Sequence, residues 1–174
     1  MTAVQIASFG VQALGMSYSS ASVLVIIING IGIPARLIPP LFADRFGPLN
    51  TWIPITFSVA VVAYCWLAVK DEPGFYVFTS FYGIIGAAFQ CLIPTVVASI
   101  TPRLDMVGTR LGMVFSISGF AALTGPPIGG TLQAADGNSF AGAQAWAATS
   151  TLVSFVLFAV ARGFKAEWKL KARC

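Results

Sequence analysis

Histidine is absent from this chain, and acids are scarce: Asp44, Asp71, Glu72, Asp105, Asp136 and Glu167 are all six of them. Without histidine there is no Ser-His-Asp relay, no H-E-x-x-H metal motif and no side chain that ordinarily titrates near neutrality. Charged residues make up only 9% of the sequence, where an ordinary soluble domain holds about 25%. Two of the three cysteines, Cys65 and Cys91, lie in apolar runs, and Cys174 is the last residue. They form neither a disulfide framework nor a metal-ligand set. No Walker loop and no G-x-S-x-G elbow occurs, and Gly30-x-Gly32 lacks the third glycine of a dinucleotide site. A membrane-embedded enzyme would need a polar catalytic cluster that the sequence does not supply, so no cofactor is expected. The ten basic residues are not interleaved with aromatics, which leaves out nucleic acid as a partner.

What is present is apolar. Hydrophobic residues reach 57% of the 174 residues, and mean hydropathy is +0.84. One core cannot hide that much apolar surface, so lipid must solvate much of it. A spanning helix needs about 20 such residues. The pattern predicts an all-α integral membrane protein with spans over residues 20–42, 52–69, 75–99, 110–132 and 143–162. Polar or Gly/Pro-broken connectors separate them. Residues 1–16 carry Gln5 and Gln12, with no charged n-region and no cleavage site. They read as the end of a helix whose beginning is missing; an amphipathic helix lying on the surface is the alternative.

Basic residues mark the sides. Numbering connectors alternately, one side holds Arg45, Arg103, Arg110, Arg162, Lys165, Lys169, Lys171 and Arg173. The other holds only Lys70, beside Asp71 and Glu72. The positive-inside rule then puts the loops at 43–51 and 100–109 and the basic tail at 163–174 in the cytoplasm. The tail, with Trp168, reads as a solvated stop segment or as a stretch lying on an anionic leaflet.

The stretch SVLVIIINGIGIPARLIPPLFADRFG, residues 22–47, is the most informative. Pro34 lacks an N–H, and Gly30 and Gly32 loosen the same turn. Arg36 follows inside the span, at a cost of roughly 2.5–3.5 kcal/mol on insertion scales. It lies eight residues before Asp44, hence about 12 Å from the cytoplasmic end. Two readings stand: an arginine that snorkels to the headgroups, or one that faces a cavity. No carboxylate sits in mid-span. A buried Arg36 would therefore take its counter-charge from a ligand, from water or from another polypeptide, and guanidinium matches a carboxylate bidentately. Asn29, Tyr82 and Gln90 are further candidates to line a path for a small organic solute; Gln90 could equally bond a neighbouring helix. Gly108, Gly112 and Ser116, then Gly125 and Gly129 around Pro126-Pro127, recur at four-residue spacing, which suits close helix packing.

ADRFG at 43–47 resembles the D-R-x-G loop signature of the major facilitator superfamily. The longer string NGIGIPARLIPPLFADRFGPLNT, with SGFAALTGPPIGG later, resembles the C-terminal half of a fungal-type monocarboxylate-transporter-like porter. The resemblance implies a partial major-facilitator fold: the second six-helix half, its first (seventh) helix truncated to residues 1–16. It implies a transporter working by alternating access, with Arg36 in the place of the arginine that receives an anionic substrate. Many animal members carry an aspartate one turn earlier. Here that place holds Gly32, which argues for anion or solute recognition more than for proton coupling. Asp44, Arg45, Gly47, Arg103 and Arg110 would form the cytoplasmic gate. Pro40, Pro48 and Leu49 depart from the full loop signature, as a degenerate second-half copy does. Expected partners are membrane lipid, the solute and the missing N-terminal six-helix half, in a plasma membrane with the C-terminus cytoplasmic. The competing reading is a non-transporting membrane fragment that only packs against a partner.

Overall fold

A computed structural model describes residues 3–135, 137 and 139–165. Seven α-helices follow one another among them: α1 (Ala3–Leu14), α2 (Tyr18–Ala35), α3 (Ile38–Phe46), α4 (Pro48–Cys65), α5 (Glu72–Ser99), α6 (Val107–Ala135) and α7 (Ala141–Lys165). Short 3-10 turns at Trp66–Ala68 and Leu104–Met106 end α4 and lead into α6. There is no strand among the described residues. Lipid offers the backbone no hydrogen bonds, so helix is the open-ended structure that can cross it.

Local chemistry sets the ends. Ser17 caps α2, its Oγ accepting from the Ser20 amide at 3.1 Å. Pro48 begins α4, and Pro73 lies in the first turn of α5, where a missing N–H costs nothing. Glu72 in that same first turn complements the helix dipole. Serines and threonines inside the spans bond back to their own helices, Thr56 Oγ1 to Trp52 O at 2.9 Å and Ser80 Oγ to Tyr76 O at 2.9 Å. Without water, that is the nearest acceptor.

Three details differ from the sequence expectation. The span begun at residue 20 is two helices, broken at Arg36–Leu37 rather than at Gly30–Pro34. Pro39 and Pro40 remove the N–H groups that would bond Ala35 and Arg36 carbonyls, so the chain turns there and restarts. The connector expected at 43–51 is itself helical, except at Gly47. Gly47 has φ +96°, and the turn closes through Gly47 N–H to Ala43 O at 2.8 Å and Thr51 N–H to Gly47 O at 3.1 Å. Within this connector, Gly47 is where the chain takes the positive φ that glycine adopts without strain. Lastly, α7 continues to Lys165; the rest of the expected tail lies outside the described residues.

Two aromatic clusters hold the bundle. Toward the end bearing Lys70, buried Phe9 sets its ring edge on Trp66 at 5.2 Å and meets Phe75 at 5.1 Å, while Phe78 stacks on Trp66 at 5.9 Å. Ile6 and Leu24 complete this core, so α1 packs within the bundle. Toward the other end Trp52 meets Phe89 at 4.4 Å and Phe158 at 5.8 Å, joining α4, α5 and α7. With no hydrophobic drive between helices in lipid, dispersion and shape fit carry this packing. α6 stands apart: only Gly129 of its 29 residues is buried.

Candidate functional site

The α2–α5 contact is made by glycines. A Cβ on Gly83 would lie 3.1 Å from the Ile28 Cα, and one on Gly32 3.3 Å from the Ala87 Cβ. Two backbones this close leave no room for side chains between them, so polar groups gather at the edge of the contact. There Asn29 and Arg36 from α2 and its end meet Tyr82 and Gln90 from α5 around a cavity of about 130 Å³. Ile28, Gly83, Gly86 and Ala87 supply its walls.

Each group is held differently. Asn29 Nδ2 donates to the Val25 carbonyl at 2.8 Å, which leaves the side-chain oxygen and one N–H to act elsewhere. Tyr82 stacks on Phe78 at 5.9 Å, which fixes its ring. Arg36 closes α2, its backbone N–H donating to Gly32 and Ile33 carbonyls at 3.2 and 3.3 Å, and a cation at a helix C-terminus is favoured. Its side chain is exposed and has no carboxylate partner, since Arg103–Asp105 is the sole ion pair among the described residues. Pro34 and Pro94 lie inside α2 and α5; lacking N–H, they strip the Gly30 and Gln90 carbonyls of their usual donors. The site therefore combines a cation without a carboxylate partner among the described residues, the amide groups of Asn29 and Gln90, and the Gln90 carbonyl that Pro94 leaves without its helix donor. Pro39 and Pro40 also remove two of the first amides of α3, so that helix start offers an anion little and the guanidinium is the local donor.

The five expected gate residues are not joined to one another. Asp44 has no ionic partner among the described residues, and Arg45 lies 5.8 Å from the Phe46 ring centre. Arg103 pairs with Asp105 at 2.6 Å in an exposed position, a pair within one turn. Arg110 donates to the Ile100 carbonyl at 3.2 Å, and Gly47 shapes the α3–α4 turn. A tie between α4 and α7 at this end was missed by sequence reasoning: Arg162 Nε donates to Asn50 Oδ1, while Asn50 Nδ2 donates to Phe46 O at 2.8 Å. Asn50 lies in the expected loop just before the span at 52–69 and Arg162 closes the span at 143–162, and that shared end of the membrane is the one signal that pointed to them.

Five helical segments are long and apolar enough to cross a membrane, and their outward side chains are large and apolar: Ile26, Leu41, Phe81, Phe120 and Leu123 are all more than half exposed. Water-soluble monomers rarely show such a surface. The chain is a multi-pass integral membrane protein. Its sequence is 37% identical over 147 residues to an MFS-type transporter of Gibberella zeae, a match covering 84% of this chain and 33% of that protein. It is 34% identical over 149 residues to MFS-type transporter 1 of an Ophiocordyceps species, covering 85% and 33%. It is 31% identical over 121 residues to the aspyridones efflux protein of Emericella nidulans, covering 70% and 25%. The chain belongs to the major facilitator superfamily, and it spans about a third of the length of the first two relatives. No protein-family profile matches it, and no solved structure does.

Proposed function

We propose that this chain is the C-terminal, solute-binding part of a major-facilitator transporter, and that its solute is a small organic anion of the monocarboxylate class. The observation that carries the reading is the meeting of Arg36, Asn29, Tyr82 and Gln90 around one cavity of about 130 Å³. Sites for drug-sized ligands run from about 300 to 1,000 Å³, so this one suits a small carboxylate or the charged end of a larger solute. Arg36 would grip the carboxylate through two parallel hydrogen bonds; Asn29 and Gln90 would orient the remainder. Transport would follow alternating access against an N-terminal half, the broken α2–α3 span moving at Arg36–Leu37 and the Asp44, Arg45, Gly47, Arg103 and Arg110 side closing in the cytoplasm. The relatives' much greater length supports that partner, as does the open face of α6. The basic bias of this side supports a cytoplasmic C-terminus, and the membrane we assign is the plasma membrane.

Binding decides it. Radiolabelled pyruvate and benzoate are equilibrated with the chain in phospholipid nanodiscs. Retention of at least one, weakened about tenfold or more by Arg36→Gln, is expected, since a hydrogen bond to a charged group is worth about 1.5–3 kcal/mol. Arg36→Lys falls between, because an ammonium cannot bind both oxygens in the same plane. Equal retention by wild type and Arg36→Gln, or by empty nanodiscs, would sink the assignment.

A further inference from the structure

A second cavity, larger than the Arg36 one, lies between α1, α6 and α7 near the α6–α7 connection. Its volume is about 350 Å³, within the range of sites that hold a ring-sized organic molecule. Ser8 and Gln12 of α1, Gln133 of α6, Trp146 of α7 and Trp66 after α4 line it. None of the described residues lining it is charged. Gln133 Nε2 donates to Gln12 Oε1 at 3.3 Å, a long bond, and this holds the two amides side by side. The pairing leaves the Gln12 NH₂ and the Gln133 carbonyl oxygen unused, a donor and an acceptor next to each other. Trp66 is 4% exposed and Trp146 53% exposed, so one indole lies deep and the other lies at the surface. The Trp66 Nε1–H has no acceptor among the described residues. Pro126 in the cavity wall sits inside α6, where its ring removes one helix hydrogen bond and widens the turn.

We infer that this cavity is a binding site for an uncharged planar ring compound whose edge carries a carbonyl beside an N–H, such as a lactam. The lactam edge presents an acceptor to Gln12 and a donor to Gln133, while the ring lies against indole surface, where aromatic pairs gain about 0.5–1.5 kcal/mol beyond burial. A carboxylate is refused here, because desolvating it without a cation costs far more than the amides return. The site is thus distinct in chemistry and place from the Arg36 cavity and stands whether or not that cavity binds an anion.

The probe is radiolabelled 2-quinolone, measured by equilibrium dialysis against the full chain in phosphatidylcholine nanodiscs. Saturable binding is expected. Gln133→Met and Gln12→Met each weaken it about tenfold, the equivalent of one good hydrogen bond. N-methyl-2-quinolone, which has lost its donor, binds about tenfold more weakly than 2-quinolone for the same reason. Ala122→Phe, at a lining position, fills the space and abolishes binding while circular dichroism shows unchanged helix content. Arg36→Gln leaves binding as in wild type. Uptake that rises linearly and equally in empty nanodiscs would reduce the cavity to lipid-exposed surface. Wild-type affinity in both glutamine variants, or loss of binding in Arg36→Gln, would overturn the assignment.

Discussion

Single residues here act through what stands next to them. A Cβ added to Gly83 would lie 3.1 Å from the Ile28 Cα, so Gly83→Val must push α2 off α5. Overpacking of this kind costs about 1–3 kcal/mol, and unfolding by SDS titration in mixed micelles should show a loss of that size. Gly119, with nothing within 4 Å of an added Cβ, is the contrast: Gly119→Ala should lose no stability, because alanine is the better helix former by about 1 kcal/mol. Gly32 stands where the resemblance would place an aspartate. Its Cβ position is already 3.3 Å from Ala87, so Gly32→Asp would meet the α5 surface as well as add a charge. The Arg103–Asp105 pair is 74% and 59% exposed; Asp105→Asn should change stability by less than about 1 kcal/mol, measured in the same titration. Asn50 and Arg162 gave the sequence reader little, because an asparagine and an arginine 112 residues apart become partners only when α4 and α7 lie side by side.

Among the elements, the broken span α2–α3 is the most informative. A helical period and a proline at 34 were legible in the sequence, and so was an arginine in an apolar setting. The exact break was not, because Pro34 alone is absorbed within α2, while the pair Pro39-Pro40 stops propagation two residues earlier through the amides they lack. Replacing both by alanine should restore those donors and fuse α2 with α3. Spin labels at positions 23 and 45 should then report a longer and narrower distance, approaching the roughly 33 Å of 22 residues of straight helix. An unchanged distribution would mean that packing against α4 and α5, not proline, sets the break. α6 shows the reverse lesson. Its glycine spacing reads as a packing face, yet Gly108, Gly112, Gly119 and Gly125 have nothing within 4 Å of an added Cβ. A small-residue stripe gives the capacity for close approach, not the neighbour that uses it.

For the whole molecule, sidedness is the property to test. The alternation of the five membrane-length segments puts Arg45, Arg103 and Arg162 at one end and Lys70, Asp71 and Glu72 at the other. In inside-out and right-side-out vesicles, Arg45→Cys and Glu72→Cys in a background free of native cysteines should label from opposite sides with an impermeant maleimide. Labelling from one side would require a different number of crossings. Composition and hydropathy by themselves determined that this chain lives in lipid as helices, because no soluble core can cover so much apolar surface. They also determined that no acid of the given sequence lies in mid-span beside Arg36, because the acids can be counted. The tertiary structure alone decided which helices touch. Interhelical contact depends on complementary shape at particular turns, such as Gly83 against Ile28, and periodicity carries no record of the partner. It decided, for the same reason, that Arg36, Asn29, Tyr82 and Gln90 share one cavity, and that Gln12 meets Gln133 across another.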